Sequence, residues 1–248
     1  MTHNDDETPV QGALHTPVRN HYYHGKLLDA GLFSLEQRYF NSKRALINRF
    51  VVGYGVVCGL DLYLLDTHDQ VIVTPGLAID KWGREIVVPK PSAPIRLRRL
   101  PNAPHEEEEW VYLCLTYHEC ESDPKPVLTA DCPETGPCAP DVIQERYQIL
   151  VRPGRVPEPP HECTLHEAIT TQGIKFPELA LWVSQECAAP PADPCIPLGD
   201  IFIPEDGRIH QDDVHVDHRP IVYSNDMLYE LILGLTEELL KGRRGKYA

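Results

Sequence analysis

The spacing of apolar residues changes character several times along the chain. Leu35, Tyr39, Leu46 and Phe50, with Ile47 and Val51 beside them, recur at three- and four-residue steps. That is the repeat of an amphipathic helix. Ser34 and Gln37 form an S-x-x-Q capping box, which predicts that the helix starts at Ser34. Arg38, Lys43, Arg44 and Arg49 give it a basic face. Periodicity admits two readings of that helix, one packed on its own domain with solvated arginines and one docking a partner.

The period then shifts at VVGYGVVCGLDL, residues 51 to 62. A phosphate-cradling loop needs strand, glycines and helix in that order. Here the helix comes first, and Gly53, Gly55 and Gly59 give G-x-G-x-x-x-G without a following Lys-Ser or Lys-Thr. The stretch therefore reads as a joint where a helix turns into a sheet.

Beyond the joint the pattern is β. VCGLDLYLL reads as one strand, and QVIVTPGLAIDKWGREIVVP as at least two more, with Asp80-Lys81-Trp82-Gly83 as a turn. APIRLRRL, WVYLCLTY, VIQERYQILV and LALWVSQE are further predicted strands. PLGDIFIPEDGRI predicts a strand and a hairpin turning at Glu205-Asp206-Gly207, and CTLHEAITTQG a short helix closed by Gly173. WVYLCLTYHEC and LALWVSQEC, each followed by a proline-cysteine loop, look like an internal echo. A second amphipathic helix covers 225 to 244, capped by Ser224 or Asn225, with Leu228, Leu231, Ile232, Leu235, Leu239 and Leu240 along a stripe expected to be buried.

These elements predict a mainly β protein with flanking helices. The expected fold is an antiparallel β-sandwich or partial barrel, preceded by one amphipathic helix and closed by another, because no strand-helix-strand alternation appears. Residues 1–20 read as a mobile arm and 21–55 as an N-terminal helical segment. Residues 56–223 form the β body, with a long Pro/Cys loop near 119–141, and 224–248 the C-terminal helix.

Composition narrows the function classes. The formal net charge of −14 disfavours nucleic-acid binding, which needs cations to neutralise phosphates. No run approaches the about 20 apolar residues of a membrane helix. The polar, acidic start lacks the blocks of a secretion signal, so synthesis in a cytoplasm is expected. The 24 prolines leave little room for long helices.

Candidate chemistry centres on cysteine and histidine. There are eight cysteines and no C-x-x-C, so neither a zinc ribbon nor a thioredoxin-like motif is present. Zinc takes four thiolate or imidazole ligands in a tetrahedron. His118, Cys120, Cys132 and Cys138 could supply them, as could Cys132, Cys138, Cys187 and Cys195 across two loops, though neither set has a usual zinc spacing. The alternative is loop cysteines that stay reduced or pair as disulfides. Cys58 and Cys114 lie in apolar runs and read as core thiols. Apart from that structural zinc, no cofactor is expected. His210, His215 and His218 with Asp217 are the densest histidine cluster and suggest a metal-dependent enzyme as one alternative function. No H-E-x-x-H and no G-x-S-x-G occurs, so no catalytic residue is assigned. A carbohydrate-binding module is a further alternative, on fold analogy alone.

Longer blocks carry a resemblance. Tyr23 to Leu28 gives an aromatic-x-Gly-x-Leu-Leu start. Glu36 to Tyr39 gives Glu-Gln-x-Tyr, and Lys43 to Arg49 gives Lys-Arg-x-Leu-x-Asn-Arg. Gly53 to Leu60 gives Gly-aromatic-Gly-Val-Val-Cys-Gly-Leu, and Pro75 to Ile86 gives Pro-Gly-x-Ala-x-Asp-x-x-Gly-Arg-Glu-Ile. Together with RPIVYSNDMLYELILGL they resemble the signature of a bacterial family encoded among phage-tail-like contractile injection systems. The resemblance covers most of residues 21 to 240 and implies a non-enzymatic structural subunit of the particle, at or around its baseplate or surrounding cage. It implies other subunits of the particle as partners, an oligomeric setting and cytoplasmic synthesis before assembly. It assigns no site residue.

Overall fold

The computed structural model describes residues 13–97, 109–126, 138–156, 165, 168–170 and 173–244. The expected arm therefore lies mostly outside the described residues, as does Cys132. The first helix, α1 (Ala30–Ile47), begins four residues before Ser34, so the proposed capping box does not form. Asp29 is the cap, and its Oδ1 accepts the amide N–H of Leu32 at 2.9 Å. An aspartate at this position answers an orphan donor as well as a serine does, and Ala30 and Leu32 favour the added turn despite Gly31 between them. The last turn widens into a π-helical segment, Asn48–Val52.

The glycine joint is present. Gly53 ends the π turn with φ +93° and accepts no side chain readily. The chain then enters β1 (Gly55–Gly59). The predicted single strand VCGLDLYLL is instead two strands in different sheets, β1 and β2 (Leu62–Leu64). Leu60 between them is buried and left-handed, with φ +57°. One residue thus redirects the chain from one sheet to the next, which no hydrophobic pattern reveals.

Four hairpin-built strands follow: β3 (Gln70–Val73), β4 (Gly76–Ile79), β5 (Glu85–Val88) and the short β6 (Ile95–Arg96). β1, β4 and β5 form one three-stranded sheet, and β2, β3 and β6 another. A third sheet is made by β7 (Glu109–Pro126), β8 (Cys138–Pro153), β11 (Ile196–Ile203) and β12 (Val214–His215), in the order β12-β11-β7-β8. Among the described residues the strand pairs are antiparallel, and an isolated parallel bridge ties Val56 to Ile221. Leu60, Leu62, Val71, Val73, Ile86, Leu113, Leu115, Ile196, Leu198 and Ile201 belong to one buried cluster shared by the three sheets. The sandwich-like, mainly β body with flanking helices is thus present.

Several local expectations are corrected. β7 and β8 pair in register from Val111–Pro153 out to Pro126–Cys138. The long loop near 119–141 is therefore largely a two-stranded ribbon, and only 127–137 lie outside the described residues. Pro124, Pro126 and Pro140 sit at the ribbon's far end, where few ladder donors are needed. LALWVSQE is not a strand. Phe176–Val183 is a helix, α2, with Pro177 in its first turn. Proline is tolerated there, and Glu, Leu and Ala favour helix where no strand partner adjoins. The apparent echo with WVYLCLTYHEC is consequently not a structural repeat. Most of CTLHEAITTQG, and with it the test of the expected short helix, lies outside the described residues; Ala168 has 3-10 geometry, its N–H donating to the Leu165 carbonyl at 3.0 Å. Ile169–Thr170 (β9) pairs with Gly173–Ile174 (β10) as a small hairpin. The 204–207 turn forms, with the Gly207 N–H donating to the Pro204 carbonyl. The return strand is delayed to β12.

The C-terminal helix, α3 (Asn225–Arg244), is present. Ser224 caps it, its Oγ accepting the Met227 N–H at 3.2 Å. Its stripe is not buried: Leu228, Leu231, Ile232 and Leu235 are all exposed. No helix among the described residues is long and apolar enough to cross a membrane.

Candidate functional site

Two of the resembling blocks, Lys43 to Arg49 and Pro75 to Ile86, meet at one seam, where α1 meets the turn between β4 and β5. Asp80 is fully buried at the head of that turn. Its Oδ1 accepts the N–H groups of Trp82 and Arg84, each at 2.9 Å. Its Oδ2 receives Arg84 Nε and Nη2, both at 2.7 Å. A carboxylate with both oxygens engaged in this way locks a turn that a neutral residue would leave loose. Gly83 then adopts φ +88°, and a Cβ built on it would lie 2.0 Å from the Ala45 carbonyl oxygen. Only glycine lets the helix backbone come so near.

Asn48 fastens the helix from the other side. It is buried, and its Nδ2 donates to the Gly83 carbonyl at 2.9 Å and to Glu85 Oε1 at 2.8 Å. Glu85 Oε2 also pairs with Arg44 Nε at 3.1 Å. Two of the basic residues assigned to a solvated face thus have partners in the body, because Arg49 Nη2 donates to the Ala188 carbonyl. The proline-cysteine loop after α2 closes over this region. Trp82 Nε1 donates to the Pro191 carbonyl at 2.7 Å, and the Lys81 N–H to the Pro194 carbonyl at 3.3 Å.

Beside the seam lies a cleft lined by Arg44, Arg84, Glu85, Tyr117, Glu119 and Glu145, among others. The Arg84 guanidinium lies 4.6 Å from the ring centres of both Trp82 and Tyr117. Tyr117 donates to Glu119 Oε1 at 2.8 Å. Burial first, and then the Glu119 hydrogen bond and the charges of Glu119 and Glu145, raise the Tyr117 pKa. The phenol therefore stays protonated and serves as a hydrogen-bond donor to Glu119. The cleft's volume of about 30 Å³ admits a water or two, against the several hundred Å³ of a small-molecule site. The arrangement holds a helix against a sheet. Tyr117 and Glu145 carried no signal in the sequence, since only the strand pairing of β7 with β8 brings them to α1.

The other candidates are dispersed. The His210 ring lies tilted beside His68, with ring centres 5.6 Å apart, and the His210 backbone N–H donates to Asp213 Oδ2. The His215 ring lies 5.4 Å from that of Trp110. His218 Nδ1 is 3.6 Å from Oδ2 of the buried Asp200, whose Oδ1 accepts the Val156 N–H. The three rings thus face three different neighbours, and among the described residues no three His, Cys, Asp or Glu gather as a metal site. His118 and Cys120 share one face of the ribbon, opposite Arg146 and Gln144. Cys187 is exposed. The Cys138 side chain, like Cys132, lies outside the described residues.

Two cysteine expectations are corrected. Cys114 is not a reduced core thiol: it is joined to Cys195 in a disulfide, with Cα atoms 5.8 Å apart. Both lie buried where β7 meets the start of β11. That bond removes Cys195 as a thiolate ligand for the second zinc set. Cys58 is exposed rather than core, because the bulge in β1 between Val56 and Cys58 turns its side chain outward. No protein-family model matches the chain, and no curated protein matches it.

Proposed function

We propose that this chain is a non-enzymatic structural subunit of a phage-tail-like contractile injection particle, at or around the baseplate. The observation that carries this reading is the amount of apolar side chain presented outward by the helices. Phe33, Phe40, Ile47 and Val51 are exposed along α1 and its π turn. Phe176, Leu181, Trp182 and Val183 are exposed on or beside α2, and Leu228 to Leu235 on α3. Exposed apolar rows of this size mark interaction surfaces. The resemblance supports the same reading, because two of its blocks, Lys43 to Arg49 and Pro75 to Ile86, hold the residues that brace α1 on the body. A braced helix with an outward apolar row is a docking element on a rigid platform. The projecting β7–β8 ribbon is a second candidate contact. The other subunits of the particle are the expected partners.

The test is sedimentation of native cell lysate, with mass spectrometry of each fraction. The reading expects co-migration with sheath and tube proteins, and cross-links from α1 or the ribbon to neighbouring subunits. A peak confined to the monomer or small-oligomer position overturns it. Removal of residues 1–20 is expected to reduce incorporation while leaving the folded body intact.

A further inference from the structure

The segment from Ala188 to Pro194 lies across the seam as a strap. It has neither helix nor ladder pairing, and Ala188, Ala189, Pro191, Ala192 and Asp193 are exposed. Little apolar burial therefore holds it down. Its grip is a short set of polar contacts. The carbonyls of Ala188, Pro191 and Pro194 accept from Arg49 Nη2, Trp82 Nε1 and the Lys81 N–H. Asp193 pairs with Arg152, and its Oδ1 also accepts the Cys195 N–H at 3.2 Å. Each such contact at a surface contributes little net.

The strong anchor is covalent. Cys195 ends the strap one residue before β11 enters its ladder at Ile196–Leu115, and it is bonded to Cys114. Cys114 and Cys195 are 0 % and 2 % exposed. A reductant must approach one of the two sulfurs, so the bond is reached only when the strap lifts. The intact bond in turn stops fraying at residue 195. Without it, fraying of the strap runs on into the first pairs of β11. Strap and bond protect one another.

We propose that the Cys114–Cys195 bond is a redox lock on the seam: oxidised, it holds the 188–194 strap over Trp82 and Lys81, and reduced, it releases the strap and uncovers them. The chemistry is thiol–disulfide exchange with a small dithiol. One thiolate of the dithiol attacks Cys195 Sγ, and the Cys114 sulfur leaves. The second thiol of the reagent then displaces Cys195 and closes the reagent into a cyclic disulfide. The protein gains two electrons and two protons and ends with two thiols. A small-molecule disulfide runs the exchange backwards, itself reduced to two thiols. A reducing compartment thus favours the open strap and an oxidising one the closed strap. The lock acts within one chain and does not depend on the injection-particle reading.

The test is hydrogen exchange with solvent in the full chain, before and after dithiothreitol. NMR follows the Trp82 indole N–H and the Lys81 amide, and mass spectrometry follows peptides of the core. Reduction is expected to speed exchange at Trp82 and Lys81 by about tenfold, the scale of one lost hydrogen bond. Exchange across 62–73, which holds the buried Leu62, Val71 and Val73, should not change. Oxidised glutathione, added after the dithiothreitol is removed, should restore the slow rates. Cys114→Ala with Cys195→Ala should exchange at the faster rate without reductant and ignore its addition. Unchanged rates at Trp82 and Lys81 in chains shown by thiol titration to be reduced overturn the lock. If the bond resists dithiothreitol in the folded chain, the double variant decides: exchange as slow as in the oxidised chain overturns the proposal. Acceleration that reaches 62–73 to the same degree overturns it as well, because the whole fold is then opening.

Discussion

Replacing Gly83 with alanine tests the seam between α1 and the β body. Two costs are expected there. Gly83 has φ +88°, and a left-handed L-residue costs about 1–2 kcal/mol. The added Cβ would also sit 2.0 Å from the Ala45 carbonyl oxygen, so helix and turn must part. The buried Gly83 carbonyl then loses Asn48 Nδ2, which keeps Glu85 Oε1, and a buried polar group that loses a partner costs about 1–3 kcal/mol. The total is about 2–5 kcal/mol. Gly154 provides the control. Its φ is +91°, and a Cβ there meets nothing within 4 Å. Gly154→Ala should therefore cost the backbone term alone, about 1–2 kcal/mol. Urea unfolding of both variants measures the difference, and at a slope near 3 kcal/mol/M the extra cost moves the midpoint by up to about 1 M. Limited proteolysis should cut within α1 faster in Gly83→Ala than in Gly154→Ala. Equal midpoints and equal cleavage would refute the close packing of helix on turn.

Asp80→Asn leaves Arg84 without its buried counter-charge and should destabilise the fold by about 3 kcal/mol, measured by urea denaturation. Cys114 and Cys195 should resist alkylation in urea until reductant is added, read by peptide mass spectrometry. Reduction should cost about 4 kcal/mol for a loop closed over 81 residues. The raised Tyr117 pKa means that the fold favours the neutral phenol. Its contribution is fully present below the unfolded tyrosine value of about 10 and is lost as pH rises through the higher folded value. Tyr117→Phe should therefore flatten the decline of the urea midpoint above about pH 10, and an unchanged profile would count against it.

Which parts of this were legible in the chain follows from the range of the interactions involved. Two helices, the glycine joint, the Asp80–Gly83 turn and most strands could be read directly, because periodicity and turn chemistry act over a few residues. So could the mainly β class, since strands recur without alternating helices. Local reading misplaced the start of α1, where Asp29 caps rather than Ser34, and it took α2 for a strand. A short apolar run such as LALWV fits either state until a neighbouring strand is present or missing. The seam was visible as blocks of residues but not as a site. Asn48 reaches Gly83 and Glu85, 35 and 37 residues away.

By itself the sequence determined the period of each segment, the acidic balance and the apolar stripe of the last helix. These are properties of neighbours along the chain. Only the tertiary structure decided where each apolar stripe ends up. The stripe of α3 reads as core by pattern, yet it stands exposed, because the β cluster closes without it. Cys58 and Cys114 look alike in their apolar runs, yet a bulge turns one outward and strand pairing seats the other against Cys195. Periodicity states which residues share a face, and only the packing of the whole chain states what that face meets.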